Sequence, residues 1–136
     1  MLLVDAGPLY AAAATRDRNH ERCAELLTRE MDRLVVPMLV LTEVAYLLGD
    51  RLGPKAEASF AWSLAHGELP VEPLLPSDWE RIAELTETYA DFPLGIVDAS
   101  VVATAERLGI TQLATLDHRH FSAVRPRHID AFAIFP

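Results

Sequence analysis

The stretch LGIVDASVVATAERLGITQLATLD, residues 94–117, decides the fold. Leu94 to Leu108 reads as a helix stopped by Gly109, since glycine takes the left-handed turn at a helix end without steric cost. Ile110 to Leu116 then reads as a strand, and Asp117 ends it. The same alternation extends in both directions. Upstream, Ser77 is placed to cap a helix running towards Tyr89, and Leu69 to Leu74 is a strand containing prolines. Lys55 to His66 is a helix ended by Gly67, and Met38 to Leu52 is another, closed by Gly53-Pro54. Leu34-Val35-Val36 forms a strand ahead of Pro37, after a helix from Asn19, its expected N-cap, in which Cys23, Leu26 and Leu27 recur at helical spacing. At the start, Met1 to Val4 is a short strand, and Asp5-Ala6-Gly7-Pro8 turns it into a helix whose first turn suits Pro8. Ile129 to Phe135 is expected as a last edge strand. Strands alternating with helices predict an α/β domain with a largely parallel sheet.

The 136 residues are the size of one domain, expected to span 1–136 around a single core. A composition of 51% hydrophobic and 24% charged residues, with aliphatic runs spread along the chain, excludes a disordered protein. No apolar run reaches the roughly 20 residues that span a bilayer, and MLLVDAG lacks the basic start of a signal peptide, so no membrane and a cytoplasmic location are expected. The only cysteine, Cys23, has no internal disulfide partner and is expected, among Glu21, Arg22 and Glu25, on a helix surface. A net charge of -8 argues against nonspecific adhesion to nucleic acid. The charge is uneven, because residues 101–136 place Arg107, Arg119, Arg125 and Arg127 against three acids. A polyanion is expected to meet that end first, where His118, His120 and His128 also lie.

Each main apolar run contains one acid. Asp5 is the only charged residue from Met1 to Ala14, Glu43 from Val35 to Leu48, and Asp98 from Phe92 to Ala105, while Asp117 ends the run from Gly109. A carboxylate on an apolar segment must be hydrogen-bonded, paired or metal-bound, because desolvating it alone costs several kcal/mol. Asp5 and Asp117 both fall where a strand ends, the side on which parallel α/β sheets place their ligands. Asp98 has Val101 and Val102 three and four residues on, and Glu43 stands between Leu39 and Leu47, so both are expected to point partly towards the core. Two unit charges about 4 Å apart repel by roughly 4 kcal/mol at an effective dielectric of 20, so such a cluster needs a cation or must hold protons. An all-oxygen set suits Mg2+ or Mn2+ better than zinc. Structural alternatives stand beside this: Asp5 as a helix cap, Asp98 at the positive end of its helix, Glu43 as a satisfied core acid, Asp117 as a turn former.

The segments LLVDAGPL, VPMLVLTEVAYLL, YADFPLGIVDASVVATAERLG and ATLDHRHFSAVRP, with the hydrophobic end IFP, resemble the PIN-domain ribonucleases of the VapC toxin type, in order and over nearly the whole chain. The resemblance implies a three-layer α/β/α sandwich with a mostly parallel sheet. It implies an endoribonuclease with Mg2+ held by Asp5 and Asp98, and with Glu43 and Asp117 completing the acidic pocket. Asp91 matches a recurrent acidic position, and Thr115 is given an accessory place, orienting Asp117 or a water. The implied partners are an RNA substrate, a VapB-type antitoxin and a second copy of the chain, the last also suggested by apolar surface around Tyr46, Phe60 and Trp62.

Other signals are weaker. His118-Arg119-His120 is expected as a polar loop, in which Arg119 is better placed to meet RNA phosphates than the histidines are to bind metal. Trp62 and Trp79 are expected in core or dimer packing rather than base stacking. A haloacid-dehalogenase phosphatase requires a second acid where Gly7 stands. A receiver domain requires a late lysine, but the only lysine is Lys55. A housekeeping PIN nuclease and a non-catalytic RNA-binding PIN module remain as alternatives.

Overall fold

The computed structural model describes residues 1–92 and 94–136. Their elements run β1 (Leu2–Val4), α1 (Ala6–Ala13), α2 (His20–Arg29), β2 (Leu34–Pro37), α3 (Val40–Leu52), α4 (Pro54–Ala65), β3 (Val71–Glu72), α5 (Pro76–Thr88), α6 (Ile96–Leu108), β4 (Gln112–Ala114), α7 (His118–Ala123) and β5 (Ala133–Phe135). The five strands pair in the order β3-β2-β1-β4-β5, and every pairing is parallel. Parallel crossovers are right-handed, so a chain that steps from β1 to β2 to β3 and then returns past β1 to β4 must cover opposite faces of the sheet on its two legs. The helix contacts follow: α1 packs on α2 and α3, α3 on α4, and α5 on α6. The α/β class and largely parallel sheet read from the sequence hold.

Burial explains the central elements. Leu2, Leu3 and Val4 are all buried, as a strand covered on both faces requires. In α6 every residue from Ala99 to Ala105 is buried, and the helix ends in Gly109 at φ 66, the left-handed conformation that glycine tolerates. The buried Ser100 hydroxyl donates to the Val97 carbonyl at 2.6 Å, which removes the cost of placing it there. None of the helices is long and apolar enough to cross a membrane among the described residues.

Several expectations need correction. The segment after Asp117 is a helix, α7, not a loop; it is held by Phe121, 1% exposed, and Val124, which enter the core. Cys23 is fully buried, because α2 turns Cys23, Leu26 and Leu27 inward and its charged residues lie on the other side. Asn19 stands at the N-cap of α2 without a capping side-chain bond; its Oδ1 accepts from Arg22 instead. α5 begins at Pro76 rather than after a Ser77 cap, and the Asp78 carboxylate accepts the Leu75 N–H at 2.8 Å. Trp62 and Trp79 are 65% and 49% exposed, so neither belongs to the core.

Two of the four arginines of the C-terminal segment are paired with acids in the fold. Arg107 Nε faces both oxygens of Asp78, at 3.0 and 3.1 Å, while Nη1 donates to Glu72 at 2.9 Å. Arg127 donates to Glu84 at 2.6 Å. Of the four arginines, only Arg119 and Arg125 lack an acidic partner among the described residues.

Candidate functional site

The chain's winding reverses between β1 and β4, and a doubly wound sheet opens a crevice at such a point, beyond the carboxyl ends of its strands. Asp5 follows β1 directly and its N–H donates to the Ala114 carbonyl of β4 at 2.9 Å. Thr115 follows β4 and its N–H donates to Phe135 of β5 at 2.9 Å. The last ladder bonds of the sheet therefore fix both residues. The buried Thr115 hydroxyl donates to Asp5 Oδ2 at 2.8 Å and accepts the Asp117 N–H at 3.0 Å. Thr115 thus orients the side chain of Asp5 and only the backbone of Asp117.

A cleft of about 660 Å3 opens here, lined by Asp5, Glu43, Asp98 and Asp117, with His118 and Arg119 at its rim. The structure brings together four acids from the ends of two strands and the first turns of two helices. Asp5 stands at the N-cap of α1, yet its side chain makes no capping bond. It is 6% exposed, and among the described residues its Oδ1 has no hydrogen-bond partner. Burial pushes its carboxyl above the usual range against the opposing Thr115 bond. Asp98, in the first turn of α6, is pushed up to about 7, by burial first and then by the charges of Asp5 and Glu43. Glu43, in the first turn of α3, is exposed at the edge of the cleft rather than satisfied in the core. Partial burial and then Asp5 and Asp117 raise its carboxyl too. Gly7 allows the close approach of α1 to this site, since a Cβ there would lie 3.3 Å from Cβ of Leu116.

Asp117 differs from the other three. Burial raises its carboxyl, but the backbone N–H and ring of His120, with the charge of Arg119, outweigh that and hold it below the usual range. The His120 N–H donates to Asp117 Oδ1 at 3.0 Å, and its Nδ1 is hydrogen-bonded to Oδ2. Asp117, His120 and Asp98 each offer a ligand atom, all within 4.8 Å of one another. The sequence reading missed His120 by setting both histidines aside; the findable signal was the Asp-x-x-His spacing of a capped first turn. His120 thus brings a ring nitrogen beside the carboxylate oxygens. Asp91 lies exposed in the turn after α5 and is not among the residues lining the cleft.

Three raised carboxyls and one buried, unpartnered carboxylate oxygen are what a site built for a cation looks like without its charge, because each acid's repulsion of the others is uncompensated. Oxygen donors of this kind fit a hard divalent ion.

A family model for the PIN domain matches residues 2–125. Ribonuclease VapC26 of Mycobacterium tuberculosis strain H37Rv is 32% identical over 135 residues, covering 99% of this chain and all of that protein. Among solved structures, VapC20 of M. tuberculosis, described as a sarcin-ricin loop cleaving toxin, superposes with a TM-score of 0.83 at 22% identity, over 96% of this chain and 99% of its own. FitAcB from Neisseria gonorrhoeae superposes at 0.64 and 17% identity, over 100% and 97% of the two chains. The two superpositions establish the PIN-like three-layer arrangement.

Proposed function

Since this chain belongs to the PIN-domain family, we propose that it is a divalent-metal-dependent endoribonuclease, the toxin of a VapBC-type toxin–antitoxin pair, acting as one domain over residues 1–136. The observation that carries this is the meeting of Asp5, Glu43, Asp98 and Asp117 in one crevice around an unpartnered Asp5 oxygen, in a chain 32% identical to a ribonuclease over its full length. Asp5 and Asp98 would hold the ion, with Glu43 and Asp117 completing its surroundings; Mg2+ is the expected ion and Mn2+ also fits. When bound, such an ion supplies Lewis-acid polarisation of a phosphodiester and charge neutralisation at the leaving oxygen.

The protein's own residues then have separable tasks. Thr115 fixes the Asp5 carboxylate through Oδ2, which leaves the buried Oδ1 as the oxygen without a hydrogen-bond partner among the described residues. Arg119, its guanidinium over the Phe92 ring at 5.6 Å, is held at the rim where the backbone of RNA would approach, and His118 lies beside it. Phosphate contacts there position the strand and carry no sequence information. Hydrolysis adds water across the P–O3′ bond, leaving a 5′-phosphate and a 3′-hydroxyl. Asp91, exposed and outside the cleft, is given no part.

The partner proposed is a short VapB-type antitoxin, whose arginine would occupy the acidic cleft through a bidentate pair. The same reading places the protein in the cytoplasm. Expression of the chain alone is expected to arrest growth and shorten specific RNAs within minutes, seen by sequencing 5′ ends, and co-expression with the neighbouring small gene to restore growth. Unimpaired growth, with the purified protein cutting RNA readily, would replace the toxin by a housekeeping PIN nuclease.

A homodimer is proposed from exposed aromatic surface on α3 and α4, where Tyr46 and Trp62 are 69% and 65% exposed. Light scattering at tens of micromolar is expected to give twice the 15.0 kDa chain mass. The monomer mass would contradict the dimer and leave the nuclease standing.

A further inference from the structure

We propose that His120 is a positioning residue: its ring, bonded through Nδ1 to Asp117, fixes the direction of that carboxylate and thereby sets the affinity of the cleft for a divalent ion. This rests on the metal-site reading above, for which the buried, unpartnered Oδ1 of Asp5 is the independent sign.

Asp117 is the acid least constrained by its own strand. It stands three residues beyond β4, and its side chain is 38% exposed. Nothing in the sheet fixes its carboxylate, so the neighbouring helix must. Both of its oxygens are taken by one residue, Oδ1 by the His120 N–H at 3.0 Å and Oδ2 by the His120 ring. An ionised carboxylate only accepts, so in this bond Nδ1 carries the proton and donates to Asp117 Oδ2. The ring is itself held, with the Phe92 ring in edge contact at 5.1 Å and 61°. The chain of fixation runs from Phe92 through His120 to Asp117, whose oxygen then stands within 4.8 Å of ligand atoms on Asp98 and His120. Partners that orient a metal-binding carboxylate commonly contribute 10- to 100-fold to affinity. A ring serving as a direct nitrogen ligand would act through Nε2, and that is a different claim with a different signature.

The two amide isosteres of histidine separate the claims. His120→Asn keeps a donor where Nδ1 is; His120→Gln places its nitrogen nearer Nε2. All three variants, including His120→Ala, keep the backbone N–H that caps α7. Mn2+ binding to the purified full chain without RNA, followed by electron paramagnetic resonance, is expected to weaken by about tenfold or more in His120→Gln and His120→Ala. His120→Asn is expected to stay within about threefold of the parent. In an Asp117→Asn background, His120→Gln is expected to change affinity by less than about twofold, since the ligand carboxylate that His120 orients is gone; this comparison between two variants serves if the single variants differ in stability. Equal losses in the Asn and Gln variants, no loss in either, or full additivity with Asp117→Asn would overturn the positioning role. A parent protein that binds no Mn2+ would instead remove the metal-site reading on which it rests.

Discussion

Asp98→Asn is expected to lower RNA cleavage by at least about a hundredfold while the protein stays folded, and Asp5→Asn is expected to do the same. Each change removes a charge from the set that would hold the cation and preserves the shape of the side chain. The same substitution should alter stability in the opposite sense. The Asp98 carboxyl is pushed up to about 7 by burial and then by Asp5 and Glu43, whereas in an unfolded chain it titrates near about 3.9. Between those values the native state binds a proton that the unfolded state has released, so the stability of metal-free protein falls as pH rises through that window. Asp5, also raised, contributes in the same direction. In EDTA the parent is therefore expected to melt at a lower temperature at pH 7.5 than at pH 5, and Asp98→Asn to reduce that difference. A folded Asp98→Asn protein with full activity would contradict the assignment, and an unchanged pH dependence would contradict the electrostatic argument.

Arg107→Ala is expected to destabilise the fold by about 3 kcal/mol, the lower end of what removing one partner of a buried pair costs. Asp78 is 3% exposed, and the Arg107 guanidinium, itself partly exposed, faces both its oxygens while reaching Glu72 and the Pro73 carbonyl. Without Arg107, Asp78 keeps the Leu75 N–H as its donor and a buried charge stays uncompensated. For a chain this size the melting temperature should drop by roughly 10 °C. Cleavage measured well below the melting point should change little, because Arg107 is not among the cleft-lining residues. A melting temperature within about 2 °C of the parent would show the pair to be dispensable.

The four cleft acids were legible because each is the lone charge on an apolar run, a pattern that needs no knowledge of tertiary contacts. Asp5 and Asp117 were further marked by the strand ends they follow, and the crevice between β1 and β4 puts them side by side. His120 was not legible in the same way. Helix α7 has only six residues, too few to show a period, and it exists because Phe121 and Val124 reach the core. The charge pattern was legible only in part, for a related reason. Arg107 pairs with Asp78 and Glu72, 29 and 35 residues away, and Arg127 with Glu84, 43 away, so a local excess of arginine is neutralised by acids from α5 and β3. Cys23 shows the limit of reading neighbours: Glu21, Arg22 and Glu25 flank it in sequence, but a helix turns them away from the face it shares with Leu26 and Leu27.

Purified protein incubated with RNA in EDTA, and again after addition of excess Mg2+, tests the central claim most directly. No cleavage is expected in EDTA, and Mg2+ should restore it with products ending in a 5′-phosphate and a 3′-hydroxyl. Undiminished cutting in EDTA, or products carrying 2′,3′-cyclic phosphate, would show that the acidic cleft does not work through a bound cation.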